Sequence, residues 1–179
     1  MVTRAIEFAA RVHDGQFRKG TSRPYIVHPI EVGEIVASMT SDEEVISAAV
    51  LHDTIEDCRG VTAEMLEKEF SARVASLVAQ ESEDKSKTWM ERKSATIEHV
   101  KNAPREVQMI ALADKLSNIR DIDRDYPEAG ETLWNRFRMK DKSIIGWYYQ
   151  GMRDALREHF AGVPEYEEYC RLITKNFGD

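Results

Sequence analysis

The sequence predicts an all-helical protein built as a single domain. Glycine and proline are sparse, with 9 and 5 among 179 residues, so few positions favour the turns that separate short strands. Apolar residues recur mostly at helical intervals, and no series of alternating apolar and polar segments indicates a sheet. A chain of this length ordinarily forms one domain, and we expect residues 1–179 to share one core.

The first two predicted helices flank a basic loop. The first ends near Asp14–Gly15, after an apolar stripe formed by Ala5, Phe8, Ala9 and Val12. Residues 16–23 form the polar, basic loop. Pro29 suits the first turn of the second helix. Because His28 precedes this proline, we expect an extended backbone there and a side chain that reaches inward from outside the helix.

The third predicted helix begins at a capping box. Ser41 and Glu44 have the required spacing, and the helix is expected to run through His52 towards Asp57. Gly60 is the expected stop.

The rest of the chain predicts helices separated by a charged loop at residues 81–87. Pro104 starts a long helix that reaches roughly to Asp123, and residues 127–130 break the chain after it. The other helices are expected near residues 62–70, 74–78 and 89–100, over residues 134–160, where aromatic residues recur at helical spacing, and after Pro164.

Composition argues against several classes of protein. The net charge of −7 disfavours a protein that coats a nucleic acid polymer, so an anionic ligand needs local positive charge. The longest apolar stretch, residues 45–51, is far too short to span a membrane. The two cysteines, Cys58 and Cys170, provide neither a disulfide framework nor a four-cysteine metal site. We therefore expect a cytoplasmic protein without membrane contact.

Titratable side chains collect where the third predicted helix ends. At about 100° per residue, two neighbouring apolar stripes of this helix both change to titratable residues at the same end. These residues are His52, Asp53, Glu56 and Asp57. Burying them without partners is costly, so they form either a solvated helix end or a site.

Asp114 lies in an apolar stripe of the helix after Pro104. Apolar residues occupy two nearly opposite sides of this helix, which predicts a central, buried position. An ionised carboxylate there requires a cation, strong hydrogen bonds or a metal. From this residue alone, an ion pair with arginine and a metal site both remain open.

Four residues together indicate a metal site. His28, His52, Asp53 and Asp114 supply two imidazoles and two carboxylates. This mixed nitrogen and oxygen set suits a divalent ion such as manganese, iron or zinc. The adjacent side chains of His52 and Asp53 project about 100° apart on a helix, so both can reach one ion.

The order of these four residues resembles that of the HD metal-dependent phosphohydrolases. The surrounding segments are similar to the hydrolase domain of RelA/SpoT-type alarmone enzymes. They are Arg18–Lys19, Pro24–Pro29, Leu51–Asp57 and Ala113–Arg120. Two further segments, Glu83–Lys85 and Glu91–Lys93, resemble the stand-alone small alarmone hydrolases, and the length leaves no room for a synthetase domain.

The resemblance implies an HD-type helical fold with one bound manganese ion. It also implies hydrolysis of guanosine 3′,5′-bispyrophosphate, ppGpp or pppGpp, at the 3′ position to GDP or GTP and pyrophosphate. Position by position, it makes Glu56 and Asp57 the catalytic acids. The implied metal ligands are His28, His52, Asp53 and Asp114.

Candidate substrate contacts lie in the basic loop and on the long helix. Arg18 and Lys19 supply positive charge for a phosphate or guanine, unless they belong to an ordinary basic surface loop. Tyr25 either faces the nucleotide or packs as a core aromatic. The resemblance favours Asn118 as a nucleotide contact, whereas Lys115 either contacts the nucleotide or forms an ion pair.

Two other functions remain open at this stage. One is an HD hydrolase of another phosphorylated nucleotide such as NADPH, and the other is a nucleotide-binding protein without turnover. The sequence leaves the choice of base between Glu56 and Asp57 open, as well as any homo-oligomer. His13, His99 and His159 lack ligand-like company and are expected to be structural or exposed.

Overall fold

Helices form nearly all the regular structure of the part described, residues 1–81 and 86–178 of a computed structural model. The α-helices are α1 Val2–Val12, α2 Val27–Met39, α3 Glu43–Leu51, α4 Thr54–Asp57, α5 Ala63–Glu69, α6 Ala72–Ala79, α7 Trp89–Asn102, α8 Arg105–Ala129, α9 Lys142–Phe160 and α10 Pro164–Phe177. A 3₁₀-helix spans Gly130–Arg136, and Phe17 and Pro24 form an isolated β-bridge. The all-helical prediction is confirmed. Among these helices, none has the length and apolar character needed to cross a membrane.

The described residues form two compact units. The first comprises residues 1–81 and Met109–Asp114, and the second comprises residues 86–108 and 115–178. Helix α8 contributes residues to both. The predicted single domain over residues 1–179 stays a prediction, and part of the predicted loop at 81–87 lies outside the described residues.

Helices α2 and α3 approach each other closely at Gly33. A Cβ atom placed on Gly33 would lie 2.5 Å from Cγ2 of Val50, closer than real Cβ contacts allow. Glycine therefore permits the approach, because any side chain would force Val50 or the helices to move. This contact holds together the two helices that carry His28 and precede His52.

His28 lies inside the first turn of α2, so the expectation of an extended backbone outside the helix was wrong. Its N–H donates to the carbonyl of Tyr25 at 3.0 Å. The helical turn therefore starts upstream of Pro29 and overrides the extended preference of a residue before proline. Pro29 occupies the first turn as predicted, where its missing N–H leaves no helical bond unmade.

Asp42, not Ser41, caps the start of α3. Its carboxylate accepts hydrogen bonds from two backbone N–H groups of the first turn, at 3.0 and 3.4 Å. The Glu44 carboxylate instead accepts from the hydroxyl of Ser71 at 2.6 Å and the guanidinium of Arg73 at 3.0 Å. The capping-box prediction was wrong because Glu44 has a charged partner beyond its own helix.

The helix predicted to run to Asp57 is interrupted at His52 and Asp53. Helix α3 ends at Leu51, whose carbonyl accepts a hydrogen bond from the hydroxyl of Thr54 at 2.7 Å. This side chain competes with the backbone for a carbonyl group that a continuous helix would use. The break places His52 and Asp53 at the junction between α3 and α4.

Helix α8 is buried where it joins the first unit. Its residues from 109 to 113 are at most 6% exposed, which confirms that this part of the helix is buried. The helix extends past Asp123 to Ala129, so Pro127 lies within it and the chain turns at Gly130, where φ is +53°. The predicted end at Asp123 was therefore too early, and contacts of Asp123 with Lys175 and Asn176 anchor the extra turns.

Candidate metal centre

His28 and Asp114 meet in the first unit through their polar atoms. The imidazole of His28 is 2% exposed, and its Nε2 lies 3.2 Å from Oδ1 of Asp114. Burial holds the pKa of His28 below its ordinary value, although Asp114 acts in the opposite direction. His28 is therefore favoured as a neutral imidazole, the form that binds metals.

The hydrogen bond of His52 to its own helix decides which ring nitrogen faces the site. Nδ1 lies 2.8 Å from the carbonyl oxygen of Ala49. Because a carbonyl only accepts, the neutral ring carries its proton on Nδ1 and presents the lone pair of Nε2. Nε2 is fully buried, and no well-aligned hydrogen-bond partner for it exists among the described residues.

Two carboxylates face that lone pair. Nε2 of His52 lies 3.1 Å from Oδ2 of Asp53 and 3.7 Å from Oδ1 of Asp114. Burial lowers the pKa of His52, but the negative charges of Asp53 and Asp114 outweigh it and raise the pKa well above the ordinary value. The arrangement thus attracts positive charge to Nε2, and a divalent ion meets that requirement as well as a proton does.

Asp53 completes the cluster from the start of α4. Its Oδ2 lies 3.7 Å from Nε2 of His28, in addition to its contact with His52. Burial tends to raise the pKa of Asp53, but the positive charge on His52 outweighs it and holds the pKa low. Ligand atoms of His28, His52 and Asp114 all lie within 4.8 Å of one another. The structure therefore brings together all four residues that the sequence singled out for a metal.

The profile of the HD domain family matches residues 5–138, which include all four of these residues. The chain belongs to the HD domain family. A zebrafish (Danio rerio) relative named guanosine-3′,5′-bis(diphosphate) 3′-pyrophosphohydrolase MESH1 is 38% identical over 163 residues, 89% of this chain and 86% of its own length. The human protein of that name is 38% identical over 140 residues, which cover 76% of this chain and 75% of the human protein.

A solved structure shares the fold of this HD domain. It is described as a metazoan ortholog of SpoT that hydrolyzes ppGpp and plays a role in starvation responses. The match has a TM-score of 0.80 and 29% sequence identity, and it covers 97% of this chain and 93% of the other. The resemblance to the RelA/SpoT-type hydrolases and the HD-type fold are thereby confirmed.

Tyr25 lies between the cluster of candidate metal ligands and the basic loop. Its hydroxyl donates to Oδ2 of Asp53, so the tyrosine packs and bonds beside the cluster. Burial, followed by the charge and hydrogen bond of Asp53, raises the pKa of Tyr25 far above its ordinary value. The phenol therefore stays protonated and remains a donor.

The basic loop is folded back on itself beside Tyr25. The N–H of Arg18 donates to the carbonyl of Arg23 at 2.9 Å, and the N–H of Tyr25 donates to the carbonyl of Gln16 at the same distance. The guanidinium carbon of Arg18 lies 5.5 Å from the centre of the Tyr25 ring. Lys19 is exposed. Arg18 therefore lies close to the cluster, over the ring of the tyrosine whose hydroxyl donates to Asp53.

Glu56 and Asp57 lie on the short helix α4, one turn after His52 and Asp53. Glu56 is half-buried and Asp57 is exposed. The charge of Asp57 contributes to the raised pKa of Tyr25, so this acid is electrostatically close to the cluster. Their catalytic role stays a prediction.

Lys115 and Asn118 follow Asp114 on α8, directly and after one turn, and both are half-buried. In the second unit, Nζ of Lys115 lies 5.5 Å from the centre of the Tyr148 ring. Their predicted contact with a nucleotide is untested.

A group of residues behind Tyr25 was missed as part of the site. His13 is 2% exposed, and its Nδ1 lies 2.8 Å from Oε1 of Gln16 and 3.3 Å from Sγ of Cys58. The Gln16 side-chain amide donates to the backbone carbonyl of Asp57 at 3.1 Å. The spacing of three residues between His13 and Gln16 at a helix end was the one sequence feature that could have predicted their contact. Their contacts with Asp57 and Cys58 join distant parts of the sequence and follow no recognisable pattern.

Proposed function

We propose that this HD protein is a manganese-dependent hydrolase that removes pyrophosphate from the 3′ position of guanosine 3′,5′-bis(diphosphate). The observation that carries the proposal is the convergence of two imidazoles and two carboxylates on one point in the first unit. The names of the zebrafish and human relatives and of the solved structure supply the substrate.

The residues present fit a divalent ion. The lone pair of His52 Nε2 is buried and faces two carboxylates, so it requires a cation. Mixed nitrogen and oxygen donors suit manganese, and iron and zinc satisfy the same set. The four side chains that would hold the ion are His28, His52, Asp53 and Asp114. A bound divalent ion lowers the pKa of a coordinated water and polarises a phosphoryl oxygen.

The acids of α4 would handle the proton of the attacking water. Water adds to the phosphorus attached to the 3′ oxygen, the bond from that phosphorus to the 3′ oxygen breaks, and the oxygen leaves with a proton. Glu56 or Asp57 would accept the proton of the water, since a carboxylate within hydrogen-bond reach acts as a general base. The products are pyrophosphate and GDP from the tetraphosphate, or GTP from the pentaphosphate.

Positive side chains would offset the negative charge of the nucleotide. The chain has a net charge of −7, so phosphate binding depends on local cations. Arg18 would clamp a phosphate or stack on guanine, and Lys19 would act as a point charge. Lys115 and Asn118 are the remaining proposed contacts. We propose the cytoplasm, where both cysteines stay reduced, as the location of the protein.

Pyrophosphate release tests the assignment. Purified protein with Mn²⁺ should hydrolyse ppGpp, and Asp53→Ala and Asp114→Ala should each abolish release. Asp154→Ala is the matched control, because this aspartate binds Arg153 and Arg157 on α9 and should leave activity unchanged. Full activity in both cluster variants would refute the proposal. If the protein hydrolyses NADPH faster than ppGpp, NADPH becomes the assigned substrate, and the assignment of the active site is unchanged.

A further inference from the structure

The hydroxyl of Tyr25 makes its bond to one particular oxygen of the metal cluster. It donates to Oδ2 of Asp53, and this same oxygen lies 3.1 Å from Nε2 of His52 and 3.7 Å from Nε2 of His28. A phenol has one proton to donate. That proton is committed to Asp53, at the point where the two imidazoles converge.

The ring of Tyr25 is held from several sides. The ring centre of His13 lies 4.8 Å away, and the His28 ring meets it edge-on at 5.8 Å. The guanidinium of Arg18 lies over the ring at 5.5 Å. Such contacts restrict the ring, so the direction of its hydroxyl is set by packing as well as by Asp53.

The backbone of Tyr25 is fixed as well. Its N–H donates to the carbonyl of Gln16 at 2.9 Å, while the Gln16 side chain contacts both His13 and the carbonyl of Asp57. A framework formed by the buried His13 and the half-buried Gln16 and Tyr25 thus lies beside the cluster. Its side-chain hydrogen bond to a proposed metal ligand is that of the Tyr25 hydroxyl to Asp53, whereas the carbonyl of Tyr25 accepts from the backbone N–H of His28.

We infer that Tyr25 is a positioning residue that fixes the Asp53 carboxylate for metal binding, rather than a contact for the nucleotide. A hydrogen bond from an outer group limits the rotation of a ligating carboxylate and orients it towards the ion. The inference rests on the proposed function, since it requires that the cluster bind a metal. In this inference, the hydroxyl of Tyr25 orients a ligand of the metal, and other groups bind the nucleotide.

Tyr25→Phe removes only the hydroxyl. Tyr166→Phe is the matched control, because its hydroxyl also makes a part-buried hydrogen bond, to the carbonyl of Arg153 at 2.8 Å in the second unit. Circular dichroism and thermal unfolding would first establish that both variants are folded. Titration calorimetry would then measure Mn²⁺ binding to metal-free protein without any nucleotide.

The dissociation constant for Mn²⁺ should rise by about 10- to 100-fold in Tyr25→Phe, the usual effect of losing an outer-shell partner, and stay unchanged in Tyr166→Phe. With ppGpp as substrate, excess Mn²⁺ should restore turnover in Tyr25→Phe with KM unchanged. An unchanged Mn²⁺ affinity in Tyr25→Phe overturns the inference, whether or not KM rises. If the wild-type protein binds no divalent ion, the proposed function itself fails.

Discussion

His52 donates a hydrogen bond from Nδ1 to the carbonyl oxygen of Ala49 at 2.8 Å. This bond within the α3 terminus sets the tautomer of the ring and directs the lone pair of Nε2 towards two carboxylates. A backbone carbonyl of the preceding helical turn thereby prepares a side chain for metal binding before any ion arrives.

Metal should stabilise the fold through this cluster. At a free Mn²⁺ concentration of 100 times the dissociation constant, binding adds about 2.7 kcal/mol to the free energy of unfolding. For a chain of this size, the midpoint of thermal unfolding should rise by about 5–10 °C. Asp114→Asn should lose this rise, while Asp154→Asn should keep it. Scanning calorimetry would measure the unfolding midpoint with and without Mn²⁺. A full rise of the midpoint in Asp114→Asn would contradict the assignment of Asp114 as a metal ligand.

Arg18→Ala should weaken nucleotide binding without weakening metal binding. Loss of one charge-assisted hydrogen bond costs about 1.5–3 kcal/mol, which corresponds to a rise in KM for ppGpp of about 10- to 100-fold. Arg11→Ala is the control, since this exposed arginine lies over the ring of Phe8 on α1. Steady-state kinetics at saturating Mn²⁺ would measure the change, and an unaltered KM would remove Arg18 from the substrate contacts.

Gly33→Ala should destabilise the packing of α2 against α3. The new Cβ would meet Cγ2 of Val50 at 2.5 Å. Overpacking costs about 1–3 kcal/mol, against a gain of about 1 kcal/mol from the better helix propensity of alanine. Urea unfolding should show a net loss of about 1 kcal/mol. Adding Val50→Ala should relieve the clash, so a double variant no better than the sum of the single variants would argue against the contact.

The ion pair between Arg120 and Glu168 should give a pH-dependent contribution to stability. Two bonds of 2.8 and 2.7 Å join the side chains, and the Arg120 guanidinium holds the pKa of Glu168 below its ordinary value. A carboxyl group with a lowered pKa stabilises the fold above the pKa of the unfolded chain, about 4.3, and loses this effect as the pH falls through the folded pKa.

Urea unfolding of Glu168→Gln would measure that contribution. The variant should be less stable than the wild type by about 0.5–1 kcal/mol at pH 7, and the difference should shrink towards pH 3. The carboxylate of Asp154, which pairs with Arg153, is more exposed than that of Glu168, so Asp154→Asn should show a smaller effect. A difference that grows on acidification would show that the sign of the pKa shift is wrong.

Much of the cluster was predictable because its residues are chemically conspicuous. Asp114 stands out in an apolar helix face, and His52 and Asp53 stand together at a helix end. Local competition was harder to predict. Asp42 displaced Ser41 as the cap of α3, and the hydroxyl of Thr54 ended the helix at Leu51. Such outcomes depend on partners distant in sequence and on side-chain geometry, which spacing does not encode.

The framework behind the cluster shows the same limit. The sequence left open whether Tyr25 faces the nucleotide or packs in the core. The contact that bears on this choice is with Asp53, 28 positions later in the sequence. The contact of Gln16 with Asp57 spans 41 positions. Neither pair has a periodic signature, so the three-dimensional arrangement was needed to connect the basic loop with the acids of α4.

Anomalous diffraction from crystals grown with Mn²⁺ tests the central claim most directly. The account predicts one manganese peak within coordination distance of Nε2 of both His28 and His52 and of a carboxylate oxygen of both Asp53 and Asp114. A peak elsewhere, or a lysine or arginine side chain occupying the space between these four residues, would contradict it.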